Sequence, residues 1–117
     1  MKFLVSIHRP TDFDHDKELG PSVRVAIDQV NDEMVAAGVR IFVGGLQSLS
    51  LSTSVLLMAD GSTEIAEGPF LKTDQYVDGF WVLACESQEE AVEWGRKAAL
   101  ACRGSVEVRP FAGAMVG

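Results

Sequence analysis

DGFWVLACESQEEAVEW, residues 78–94, carries the two signals from which the fold is read. Its first half is a run of apolar β-formers. On a strand, Phe80, Val82 and Ala84 point one way and Trp81, Leu83 and Cys85 the other, so both faces of this strand call for a dry environment. Its second half opens a helix. Ser87 with Glu90 three residues later is a capping box, in which hydroxyl and carboxylate satisfy each other's backbone N–H groups. Ala91, Trp94, Ala98 and Cys102 then recur along one side of a helix that Gly104 can end. "SVEVRP" (105–110) alternates valine with polar residues as a closing strand, which completes a β-α-β half.

Working outward, the same pattern is found upstream. "KFLVSIH" (2–8) reads as a strand and "RPTDFDHDKELGP" (9–21) as a long, breaker-rich loop ending in Pro21, a residue suited to the first helical position. Val23, Ile27, Val30 and Met34 share one helical face, Gly38 can terminate that helix, and "VRIFVGG" (39–45) reads as the next strand. Between the halves, residues 50–68 read as a hairpin turning at Asp60-Gly61. The order β-α-β, inserted hairpin, β-α-β predicts an α+β class, a ferredoxin-like sandwich forming one domain over residues 1–117, with both helices on one side of an antiparallel sheet. Two helices cover only one face, yet both faces of the strands are apolar. A second copy of the sheet is the simplest cover, so the expected state is a homodimer with sheets face to face and a cleft between them for a small-molecule ligand.

Composition narrows the function classes. A chain of 117 residues with 47% apolar content can bury a core without disulfides or metal. Its net charge of -7 argues against direct contact with nucleic acid or an anionic membrane. "MKFLVSIH" is too short in its apolar run for a signal peptide, and the protein reads as cytoplasmic. Cys85 and Cys102 lack metal-ligand spacing and read as packed, reduced thiols. Neither a Ser-His-Asp signature nor a phosphate-binding glycine pattern is present, and no cofactor is expected.

Few residues carry candidate chemistry. His8 ends the first strand, where a cleft could lie, and its near-neutral pKa suits a proton shuttle. Asp12, Asp14 and Asp16 stand at the spacing that opens a calcium loop, but Lys17 occupies the glycine position and Val23 the closing glutamate, so no metal site is expected. In "EGPF" (67–70), Gly68 and Pro69 make a turn that returns the hairpin to the sheet, and Phe70 is expected to plug into the core. Glu67 has no evident structural use, so it joins His8 and Asp74 as a catalytic candidate. Lys72, Phe70, Phe80 and Trp81 are the ligand-binding candidates.

"EGPFLKTDQYVDGFWVL" (67–83), a capped helix containing "EEAVEW" (89–94) and the ending "GSVEVRPF" (104–111) resemble the DGPF subgroup of the YCII-related family, closely over residues 38–111. The resemblance implies a ferredoxin-like domain that pairs into a dimeric α/β barrel. It also implies genomic association with extracytoplasmic-function sigma factors, which makes a non-catalytic regulatory module engaging a sigma factor the alternative reading. For the YCII proteins proper, a His and an Asp near the cleft have been proposed as an acid/base pair, and the helix over residues 21–38 has no histidine to match. Glu67 replaces the family's Asp, and Lys72-Thr73-Asp74 inverts its Glu-Thr-Lys. Leu56 stands where relatives carry Arg, so anion binding is not expected there.

Overall fold

The computed structural model describes residues 1–113. The elements run β1 (Lys2–Pro10), α1 (His15–Glu18), α2 (Pro21–Ala36), β2 (Arg40–Gly45), a 3-10 turn (Leu49–Leu51), β3 (Thr53–Leu57), β4 (Thr63–Glu67), β5 (Gln75–Ala84), α3 (Gln88–Cys102) and β6 (Ser105–Pro110). Four strands form an antiparallel sheet in the order β2-β5-β1-β6. With the hairpin set aside, that is two interleaved split β-α-β units, the ferredoxin-like arrangement that the pattern predicts.

The two-residue repeat of the strands sorts the sheet into two unlike faces. Phe3, Val5 and Ile7 of β1 and Trp81 and Leu83 of β5 are buried with Val30 and Met34 of α2 and Ala91 and Ala98 of α3. Small residues let α3 lie close to the sheet. A Cβ at Gly95 would stand 2.8 Å from Val108 Cγ2, so that helix position must be glycine for the observed approach. The opposite face, with Leu4, Phe80 and Val82 only partly covered and Phe42 51% exposed, has no helix over it among the described residues.

Capping is as expected at Ser87, whose hydroxyl accepts from the Glu90 N–H at 3.2 Å. The reciprocal arm differs, since the Glu90 carboxylate accepts from the N–H of Glu86 rather than of Ser87. The far end of α3 also departs from expectation. Arg103, not Gly104, takes the left-handed conformation with φ 53°. Gly104 is instead closely packed: a Cβ there would lie 3.1 Å from Arg9 Nη1, the His8 carbonyl and Ile7 Cδ1, so these neighbours would have to give way.

β3 and β4 pair only with each other as a separate ribbon. Its base is fixed by Ser54 Oγ donating to the Gly68 carbonyl and by Gly68 N–H donating to Ser52, both at 2.8 Å. One face carries Val55, Leu57 and Ile65, which are 65%, 78% and 75% exposed. The arm gives the chain a radius of gyration of 16.1 Å, against about 13 Å for a compact domain of this length. Because the ribbon stands off the sheet, no apolar surface lies beneath the turn that follows it. Phe70, expected to enter the core, is 69% exposed.

Candidate functional site

The segment read as a long, breaker-rich loop after β1 holds a short helix and a candidate histidine. Asp14 caps α1 by accepting from the N–H groups of Asp16 and Lys17, so this carboxylate is engaged in capping. The cap fixes His15, the first residue of α1, over the sheet end. Its Nε2 lies 2.8 Å from Asp78 Oδ1, and Phe13 packs edge-on against the imidazole with ring centroids 4.9 Å apart.

Asp78 reaches this position through a β-bulge. In the β1–β5 ladder Ile7 pairs with Gly79 and His8 with Val77, which leaves Asp78 unpaired. Simple alternation would place its side chain with Phe80 on the open face. The extra residue turns it instead to the helix-covered side, where its Oδ2 accepts from Arg9 Nε at 2.9 Å. Arg9 is 3% exposed, donates from Nη1 to the Cys102 carbonyl at the end of α3 (2.8 Å), and stacks over the Phe13 ring at 4.3 Å. A guanidinium held this way is an immobile counter-charge for Asp78.

This arrangement can handle a proton. Asp78 accepts from Nε2–H, which leaves the Nδ1 lone pair of neutral His15 as the base, while the half-exposed ring remains reachable by a ligand. His15 lines a hollow of about 330 Å³ with Thr11, Ser48 and Tyr76 contributing hydroxyls and Phe13, Leu46 and Leu49 the apolar wall. Burial pushes the Tyr76 phenol up from its ordinary value, and the nearby Asp78 charge adds to this while Arg9 opposes it. The phenol is therefore a hydrogen-bond donor at neutral pH. Among the described residues, no cluster of three or more His, Cys, Asp or Glu side chains converges to hold a metal.

The match to the family model for the YCII-related domain runs over residues 1–112, nearly the whole chain. The chain belongs to the YCII-related family. A curated relative, an uncharacterised protein of Rhizobium meliloti (strain 1021), is 35% identical over 63 residues, covering 52% of this chain and 51% of the relative. The matched part spans about half the length of each. As expected from the sequence, the helix over residues 21–38 of this YCII-related chain contains no histidine, and His15 belongs to the short helix before it.

The residues singled out from sequence are dispersed. His8 lies on the sheet face opposite Arg9, where Ser6 Oγ is 3.0 Å from its Nε2. Glu67 is exposed at the end of β4, and Lys72 is exposed in the segment after it. The Asp74 backbone carbonyl accepts at 2.9 Å from the N–H of Thr11, which lines the His15 hollow. Phe80 packs on the open face against Phe42, with ring centroids 5.7 Å apart. Trp81 points the other way into the core and donates its indole N–H to Asn31 at 2.9 Å. Their side chains thus diverge, although both residues border one hollow of about 180 Å³ between sheet and helices.

Sequence reasoning missed Arg9, His15 and Asp78. The signal for Arg9 was present: it continues the two-residue repeat of Phe3, Val5 and Ile7, which are buried, and a buried arginine requires a carboxylate. Asp78 gave no such signal, because its orientation depends on the bulge.

Proposed function

We propose that this protein binds a small organic molecule and moves a proton on it, with His15 as the general base and acid, Asp78 as the group that orients the imidazole, and Arg9 as the group that fixes Asp78. The observation that carries this reading is the 2.8 Å contact between His15 and Asp78 beside a hollow lined by three hydroxyls. The volume suits a metabolite-sized ligand. Abstraction by Nδ1 makes an imidazolium that the Asp78 carboxylate stabilises, and Tyr76 is placed to donate to an oxygen that gains charge. A panel of small enolisable carbonyl compounds incubated with the protein in D₂O tests this by loss of α-proton NMR signals. At least one compound should exchange, and His15→Gln should slow it about 100-fold or more. No exchange across the panel, or equal rates in the variant, would refute the reading.

The DGPF subgroup and a homodimer, with sheets packed as an α/β barrel, belong to the same proposal. The partly bare apolar sheet face and the ribbon's exposed Val55, Leu57 and Ile65 support a second copy as their cover. That ribbon also favours a second reading, a non-catalytic interaction module whose arm engages a partner such as a sigma factor. Size measurement of the purified chain separates the two: a dimer that buries the arm leaves no apolar surface for the module reading, whereas a monomer supports it.

A further inference from the structure

A second hollow of about 180 Å³ lies on the other side of the Asp78 carboxylate. Leu19 and Ile27 wall it from the helical side and Val43 and Trp81 from the sheet, and Arg9 and Asp78 close its polar end. Asp78 lines this second hollow, and its side chain is linked to the first only through the contact of Oδ1 with His15. The consecutive residues Gly45 and Leu46 divide between the two hollows, and Leu46 N–H donates to the Asp78 carbonyl at 2.8 Å.

Gly45 marks this slot as built space. Its backbone is not among those with positive φ, and a Cβ added there meets nothing within 4 Å. Neither conformation nor packing within the chain calls for glycine. Its strand partner Gly79 is a contrast, since a Cβ at 79 would stand 2.8 Å from the Gly44 carbonyl. The register Gly45–Gly79–Ile7 puts the missing side chain of Gly45 on the helix-facing side, where the slot opens. Inside, the polar atoms of Asn31 and Trp81 satisfy one another, and Asn31 Nδ2 also donates to the Ile27 carbonyl. No donor of Asn31 or Trp81 on the floor calls for water, so an apolar group fits there, while Arg9, bonded through Nε and Nη1, keeps the other end polar. An apolar cavity of about 150 Å³ accepts benzene, so this slot has room for one ring with a short substituent.

We infer that the slot holds an aromatic ring or a branched alkyl group of the molecule whose proton His15 transfers. The polar end of that molecule lies at Asp78, and its length is limited by the depth of the slot. This inference rests on the proton-transfer reading for the molecule's identity but not for the binding of the ring. The test titrates benzyl alcohol into the ¹⁵N-labelled full chain. Saturable shifts are expected at the Trp81 indole N–H and the Gly45 amide, with affinity at least tenfold weaker in Gly45→Val and weakened to a lesser degree in Gly45→Ala. Should Gly45→Val lose its dispersed spectrum, Gly45→Ala decides. Absent saturation, shifts confined to Thr11 and Leu46, or unchanged affinity in the variants would overturn the inference. Ring binding that persists while no compound exchanges in D₂O would sink the proton-transfer reading and leave the slot standing. Exchange without ring binding would do the reverse.

Discussion

Asp78→Asn should destabilise the fold far more than a surface carboxylate would. The variant keeps the shape of the side chain but removes the negative charge facing Arg9, whose guanidinium is 3% exposed. Breaking a buried ion pair by removing one partner costs about 3–5 kcal/mol because the other charge is left uncompensated. Arg9 retains the Cys102 carbonyl and the Phe13 ring, and Asp78 is itself 13% exposed, so the lower end of that range, about 3 kcal/mol, is expected. At about 2.1 cal/mol/K of unfolding entropy per residue, a chain of this size loses about 4 °C in Tm per kcal/mol, hence about 12 °C here. Urea unfolding followed by tryptophan fluorescence measures the free energy directly, and a double-mutant cycle with Arg9→Met isolates the pair. The double variant should be no less stable than Asp78→Asn alone, since it removes the stranded charge. A loss below about 1 kcal/mol for Asp78→Asn, the range of exposed pairs, would refute the claim that this pair is a buried anchor.

Other expectations follow from single contacts. Gly104→Ala forces a Cβ against Arg9, His8 and Ile7 and should cost about 1–3 kcal/mol in urea unfolding, with a shift in the His15 ring resonances reporting the displaced Arg9. Ser87→Ala removes the cap of α3 and should cost about 1 kcal/mol by the same measurement. Burial pushes the thiols of Cys85 and Cys102 and the phenol of Tyr76 up, so the folded state holds these protons longer than the unfolded chain. Their stabilising contribution is therefore intact at neutral pH and is lost as pH rises from about 8.5. Urea midpoints should fall between pH 8 and pH 10, and less steeply in Cys102→Ala. Replacing Val55 and Leu57 by serine should shift the sedimentation coefficient from that of a dimer toward that of a monomer, and an unchanged coefficient would exclude the ribbon from the dimer contact.

The periodic residues by themselves determined the α+β arrangement of strands and helices. The alternation in residues 79–85 and the 3.6-residue repeats ending at Met34 and Cys102 reflect which face each backbone buries, and burial by period is a local property of the chain. Family membership was legible for the same reason, since the turn and strand signatures are contiguous in sequence. The candidate site was not contiguous. Arg9, His15 and Asp78 come from a strand end, a one-turn helix and a bulge, and they meet across 63 and 69 residues of sequence. Alternation alone sends Asp78 to the wrong face, and only the one-residue slip in the β1–β5 register turns it toward Arg9. The standing-off of the ribbon, which leaves Phe70 and Leu57 in solvent, was likewise a tertiary decision. A hairpin's own residues determine that it forms, but the surface available elsewhere determines where it lies.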